Sequence, residues 1–207
     1  MIERNQVYNC DCMAGMAQMP DNHIDLAIVD PPYGIGAGDM NLGFSNTSRI
    51  QKSNWDSAVP RDEYFAELFR VSRQQVIWGG NYFRLPPSRC FVVWDKMEGM
   101  YNRSFAECEQ AWCSFDRSAK LYRLSPNNLP EKKIHKCQKP VDLYKWILHN
   151  YAEEGDLILD THVGSGSSII ACIDKGFDYI GYEIDADYYK AMQERIYHFT
   201  RQTALPL

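Results

Sequence analysis

Four consecutive residues, Asp30-Pro31-Pro32-Tyr33, combine an acid, two rigid turn residues and an aromatic ring. Together they can hold a planar amino group and make it nucleophilic. The exocyclic amine of adenine or cytosine is a poor nucleophile because its lone pair is delocalised into the ring. The Asp30 carboxylate and the Pro31 carbonyl can each accept one amine hydrogen, which draws the nitrogen toward tetrahedral geometry. Tyr33 can stack on the base, while Pro31 and Pro32 fix φ and offer no competing N–H. The residue types alone also fit a strand that ends in a Pro-rich turn with a core tyrosine.

A second constellation lies in the other half of the chain. Asp156-Leu157-Ile158-Leu159-Asp160 reads as a buried strand, followed by Thr161-His162-Val163-Gly164-Ser165-Gly166-Ser167-Ser168 and the apolar Ile169-Ile170-Ala171-Cys172-Ile173. Strand, glycine turn and helix in this order present free backbone N–H groups to a ligand. The dinucleotide fingerprint needs a third glycine three residues on, and Ile169 stands there, which argues against a pyrophosphate ligand and a dehydrogenase. Gly176-Phe177-Asp178-Tyr179-Ile180-Gly181-Tyr182-Glu183 supplies another strand ending in an acid. Glu183 falls roughly 20 residues beyond the loop, the spacing at which an acid reaches ribose hydroxyls. Loop and acid point to an adenosine-type cofactor without a diphosphate, such as S-adenosylmethionine.

With both motifs in view, the chain resembles the S-adenosylmethionine-dependent DNA adenine methyltransferases, in the class whose Asp-Pro-Pro-Tyr precedes the cofactor glycine loop. The resemblance covers nearly all of the chain. It implies catalytic roles for Asp30, Pro31, Pro32 and Tyr33. It implies cofactor contacts from Asp11, after Val7-Tyr8-Asn9-Cys10, and from Asp160, His162, Gly164, Ser165, Gly166 and Glu183. His135-Lys136-Cys137-Gln138-Lys139-Pro140 is similar to the family's His-Pro-Thr-Gln-Lys-Pro segment, which lies against the cofactor, so Gln138 and Lys139 join that set. Trp78-Gly79-Gly80-Asn81-Tyr82 and Trp94-Asp95-Lys96 also resemble family sequence. The chain departs from the pattern at His162, where the family carries an aromatic after Asp-Pro, and at Lys136-Cys137 in place of Pro-Thr.

Alternating strands and helices position these residues. Val7–Cys10, Ile24–Val29, Gln75–Trp78, Cys90–Trp94, Glu109–Phe115, Asp156–Asp160 and the segment before Glu183 read as strands. Pro60–Val71, the segment from Pro140 to Tyr151, and the segment capped by Asp185 read as helices. This order predicts an α/β chain with a mainly parallel sheet. Family resemblance adds a Rossmann-like methyltransferase fold of seven strands, with helices on both faces and a reversed last hairpin. We expect one domain over 1–207, with a mobile loop at 34–55 near the target base and a short DNA-recognition insert at 116–134.

The whole chain of 207 residues carries a net charge of −5, which argues against a nucleic-acid coat protein. Yet from Arg117 to Lys139 seven basic residues face one acid, Glu131. Beside a base-binding lip, Arg117, Lys120, Arg123, Lys132, Lys133 and Lys136 are expected to meet DNA phosphates. So short an insert can carry few base-reading side chains, which implies a short or degenerate recognition site. Seven cysteines without a Cys-x-x-Cys pair suggest a reducing cytoplasm, of a bacterial cell or a phage-infected host, and no zinc site. No membrane-length apolar run or signal peptide is present.

The expected activity is methyl transfer to the 6-amino group of adenine in double-stranded DNA after base flipping, without a metal. The alternatives are the 4-amino group of cytosine and a catalytically inactive DNA-binding subunit. The sequence leaves the oligomeric state open, a homodimer included.

Overall fold

The catalytic-motif strand sits in the middle of the sheet because its sequence leaves it nowhere else to go. Leu26 and Ile28 face one core and Ala27 and Val29 the other, all essentially buried. A strand apolar on both faces must be covered on both, and each large side chain so buried contributes about 1.5–3 kcal/mol. The computed structural model describes residues 2–37, 56–97, 100–102, 106–126, 133–135 and 137–203. The expectations for 38–55, for 127–132 with Lys132, and for Lys136 lie outside these residues.

The strands are β1 (Gln6–Tyr8), β2 (Ile24–Val29), β3 (Ser72–Trp78), β4 (Phe91–Asp95), β5 (Cys108–Cys113), β6 (Lys120–Arg123), β7 (Leu157–Asp160) and β8 (Asp178–Tyr182). They form one sheet in the order β1-β8-β7-β2-β3-β5-β4-β6. Within it β5 alone runs against its neighbours, pairing antiparallel with β3 and β4, while the other pairings are parallel. Helices α1 (Cys12–Met16) and α2 (Asp62–Val71) cover one face. The other is covered by α3 (Val141–Tyr151) and α4 (Ser167–Lys175), with α5 (Ala186–Thr203) beside α4 against β1 and β8. The mainly parallel α/β architecture is as expected, and the seven anticipated strands are all present, but the reversed strand expected in the last hairpin is the mid-chain β5, while the last strand, β8, runs parallel to β7 and β1.

The eighth strand, β6, lies inside the stretch read as a loop insert. Its sequence, Lys-Leu-Tyr-Arg, carries too little apolar pattern to announce a strand. Pairing with β4 and the Tyr122–Trp146 ring contact at 5.1 Å hold it there. Among the described residues, no helix is long and apolar enough to cross a membrane.

Two features of this topology place the site. Crossovers leave the neighbouring strands β2 and β7 in opposite directions, so a crevice opens at their C-terminal ends, where open α/β sheets bind ligands. Because β5 is reversed, its first residues reach the same rim, and Glu109 there pairs in register with Trp94 at the end of β4.

Gly15 on α1 shows how closely the helix layer approaches the sheet. A Cβ there would lie 2.3 Å from the ring of buried Tyr182. Gly15→Val is therefore expected to destabilise the fold by about 1–3 kcal/mol through overpacking. Urea unfolding should show a lower midpoint at unchanged slope.

Candidate active site

Asp30 emerges from β2 beside the β7 end, and both its carboxylate oxygens are engaged. Oδ1 accepts from the Tyr33 hydroxyl at 2.6 Å, and Oδ2 accepts from Lys139 Nζ. Lys139, whose side chain is only 3% exposed, also contacts Glu109 Oε2 at 3.1 Å and donates to the Tyr33 oxygen at 3.2 Å. Its three donors thus meet three acceptors. The other Glu109 oxygen holds Lys96 Nζ at 2.7 Å. Two acids and two amines alternate in a line, Asp30, Lys139, Glu109, Lys96, drawn from four separate segments of chain.

Burial lifts the Asp30 carboxyl above its ordinary value; Lys139 opposes the rise and Glu109 adds to it. Burial also works against the Lys139 ammonium, but Asp30 and Glu109 outweigh it and hold the group protonated well past its ordinary range. For Glu109, burial would raise the carboxyl, yet Lys139 and Lys96 bring it to about 2. Burial, and next the Asp30 charge, keep the Tyr33 phenol protonated, as its donor role requires.

Asp56 fixes the turn that follows the motif. Its buried carboxylate accepts from Tyr33 N at 2.6 Å, Gly34 N at 2.8 Å and Ala37 N at 2.8 Å. The Tyr33 ring stacks on Tyr82 with centroids 4.9 Å apart and planes 13° off parallel, and touches Phe83 edge-on. Gly79, at φ +71°, comes so close that a Cβ there would lie 2.2 Å from Tyr33. A cavity of about 540 Å³ opens beside this pair, lined by Val59, Arg61, Phe65, Tyr82, Phe83 and Arg84 among others.

The other side of the crevice is built from the glycine turn. Asp160 is buried; its Oδ2 accepts from Ser168 Oγ and its Oδ1 from His162 N at 2.9 Å. Burial pushes this carboxyl up to about 7 against those hydrogen bonds. The His162 ring packs edge-on against Tyr64, centroids 5.4 Å apart, and its Nδ1 lies 2.9 Å from Thr161 Oγ1. Burial drops the imidazole to about 4, so it is a neutral ring at neutral pH and serves as an aromatic wall. Gly164 and Gly166 have φ of +52° and +80°. Glu183 Oε2 accepts from Gly164 N at 2.7 Å and Oε1 from Asp185 N at 2.9 Å, which leaves each oxygen a lone pair for a ligand hydroxyl. Asn9, from the turn after β1, donates to the Glu183 carbonyl, and Asp11 caps α1 on that same rim.

These residues fit an adenosylated sulfonium ligand. Gln138 is buried with its Oε1 on Ile134 N, while its Nε2 donor has no hydrogen-bond partner among the described residues. Glu183 offers acceptors for ribose, and neutral His162 beside acidic Asp160 suits a nearby cation. Among the described residues, no group of three or more His, Cys, Asp or Glu side chains could hold a metal ion.

The structure gathers Asp30, Pro31, Pro32 and Tyr33 on one side of the crevice and Asp11, Asp160, His162, Gly164, Ser165, Gly166 and Glu183 on the other. Four expectations change. Lys139 stands with Asp30, not with the cofactor residues, since its ammonium finds two carboxylates there. Tyr33 is already stacked on Tyr82. A Cβ on Gly166 would meet Met192 of α5 at 2.6 Å, so this glycine serves helix packing. Arg117 and Lys120 lie at the opposite edge of the sheet, bonded to the carbonyl and side chain of Asn150 at the end of α3. That edge is about 10 Å from the Arg123 end of the short β6. Arg123 is on the site's rim, paired with Asp95 at 3.1 Å. Lys133 is half-buried near Lys96, its amine lowered chiefly by burial.

Asp56, Glu109, Lys96, Tyr64 and Tyr82 had no role assigned from the sequence, although Lys96 and Tyr82 lie in segments that resemble the family. Asp56 stands 23 residues from its Tyr33 partner, and Glu109 reaches Lys139 only because β5 is reversed.

A family model described as DNA methylase (N6_N4_Mtase) matches residues 93–194. A putative methylase, YubD of Escherichia coli K12, is 25% identical over 90% of this chain and 87% of its own length. Type II methyltransferase M1.MboII of Moraxella bovis is 20% identical over 91% of this chain and 95% of its own. Among solved structures, the M1.HpyAVI complex with S-adenosylmethionine superposes with a TM-score of 0.57 at 22% identity, covering 92% of this chain and 98% of its own. The cytosine-N4-specific PvuII DNA methyltransferase gives 0.60 at 13% identity, over 98% and 93%. The fold is the Rossmann-like methyltransferase fold. Taken together, the likenesses support a DNA methyltransferase that uses S-adenosylmethionine.

Two predictions follow from the site's construction. Asp56→Ala frees three backbone donors and is expected to lower turnover at least about tenfold by loosening the Tyr33 turn, with cofactor affinity unchanged; steady-state kinetics and calorimetric titration separate the two. Glu183→Ala should weaken S-adenosylmethionine binding directly. Gly166→Val should weaken it indirectly, by forcing Met192 and the glycine turn apart. Unchanged affinity in both folded variants would move the cofactor site elsewhere.

Proposed function

We propose that the protein methylates the 6-amino group of adenine in double-stranded DNA, with S-adenosylmethionine as methyl donor. The observation that carries this reading is a half-buried carboxylate, Asp30, fixed by Tyr33 and Lys139 at the crevice edge across from the Glu183 and glycine-turn pocket. When bound, the cofactor supplies a methyl group made electrophilic by its sulfonium. The chain's own task is to orient the amine and raise its nucleophilicity.

Asp30 accepts one amine hydrogen, giving up or sharing one of its present donors, and the Pro31 carbonyl accepts the other. Polarised in this way, the nitrogen attacks as it loses a proton to water or transiently to Asp30. A base stacking on Tyr33 displaces Tyr82, which now lies parallel to it. The target must leave the duplex to reach this depth. Gln138, Glu183, Asp11, Asp160 and His162 hold the cofactor on the opposite side. Arg123 and Lys133 meet the DNA backbone; Arg117 and Lys120 are set aside by their position. With β6 part of the sheet, little insert remains for base readout, which supports a short recognition site.

The 4-amino group of cytosine presents the same pair of hydrogens, and the likeness to the cytosine-N4-specific enzyme makes it the second reading. The aspartate at position 30 favours adenine by resemblance to the adenine enzymes.

Incubation with unmethylated DNA and methyl-labelled cofactor, followed by nucleoside analysis, is the test. N6-methyladenine is the expected product; N4-methylcytosine would establish the second reading, and no label in DNA would overturn both. Asp30→Ala should lose at least about a hundredfold in rate while still binding cofactor. Near-normal turnover in that variant would refute the role given to the carboxylate.

A further inference from the structure

We propose that Glu109 is a positioning residue for methyl transfer: it shares the Lys139 ammonium with Asp30 and so keeps Asp30 a strong acceptor for the target amine. The inference rests on the assignment of Asp30 in the proposed function and adds to it a residue that never touches substrate.

The geometry is specific. Lys139 spends one donor on Asp30, one on Glu109 at 3.1 Å and one on Tyr33 at 3.2 Å. With its side chain 3% exposed, water cannot substitute for a missing acceptor. Without the Glu109 charge, the ammonium would answer to Asp30 alone. A carboxylate that neutralises a buried ammonium by itself is a weaker acceptor for a neutral amine, since its charge is already committed. Glu109 divides that commitment. Lys96, held at 2.7 Å on the far oxygen and lying over the Trp94 ring, tempers Glu109 in turn. The arrangement sets the basicity of Asp30 from two positions away along the line of charges.

Other groups face Asp30 from every side. Tyr33 belongs to its own turn, Tyr64 comes from α2, Tyr144 from α3, Cys137 from the segment before α3, and Asp160 from the end of β7. The phenols and the thiol are neutral near pH 7, which leaves Lys139, Glu109 and Asp160 as the groups that set the local charge.

The test compares pH profiles of kcat for the full-length protein and two substitutions. Glu109→Gln retains an acceptor oxygen but loses the charge. It should lower kcat by about tenfold or more, leave KM for cofactor unchanged, and move the acid limb to lower pH, because a charge that raised the Asp30 carboxyl has gone. Lys96→Met removes the outer cation, frees Glu109 to draw on Lys139, and should move the same limb to higher pH. Glu109→Asp should recover part of the kcat and restore the limb. Opposite displacements establish the positioning role. A Glu109→Gln protein that is slower with an unmoved limb would show a merely structural contribution and overturn the inference, as would unchanged kcat. Absence of transfer by the unaltered protein would overturn the assignment of Asp30 and this inference with it.

Discussion

A single ammonium group, that of Lys139, joins the parts of this molecule that chemistry requires to meet. Isolated in so dry a place it would be strongly destabilising, and so would the Asp30 carboxylate it touches. Each is tolerable only because the other is present, with Glu109 and Tyr33 completing the set. The β2 terminus, the entry to α3, the first residues of reversed β5 and the motif turn must all arrive at one point before these charges are satisfied. Removing one partner strands the rest, so these contacts also tie the β2 end, the start of β5 and the entry to α3 to one another.

The crevice divides cleanly by chemistry. On the β7–β8 side, side-chain acids are bound to backbone N–H groups of a glycine turn, and His162 is neutral. On the β2–β3 side, charges are paired with charges and aromatic rings lie against one another. The first environment can take a cationic, hydroxyl-rich ligand without reorganising; the second can polarise a neutral amine. Asp160 at the β7 end and Asp30 at the β2 end are neighbours across this boundary, each raised by burial, and the Asp30 charge adds to the rise of Asp160.

Much of this was legible in the residues. Runs such as Ile24–Val29 and Leu157–Asp160 announce buried strands, and an acid or glycine turn at each end marks the rim. The order of strands and helices then fixes which ends come together. What remained hidden depends on tertiary pairing. Lys139 read as a cofactor residue because its sequence neighbours are, while its actual partners are 109 and 30 positions apart from or along the chain in no recognisable spacing. Asp56 looked like an unremarkable acid beside a polar stretch. Arg117 and Lys120 lent weight to a basic patch that β6 breaks in two: a four-residue strand too short to signal itself carries Arg123 to the rim and leaves Lys120 at the far edge.

The carboxylate of Asp56 has one more implication. It binds Ala37 N on one side of the 38–55 segment while its own residue closes the other, so the two stems of that segment are clasped by a single side chain. Closure entropy grows only slowly with length, by roughly 0.6 kcal/mol for each doubling. A clasp of this kind insulates the catalytic turn from whatever lies between its stems. Changes of length between those stems should then leave the geometry of the Tyr33 turn intact.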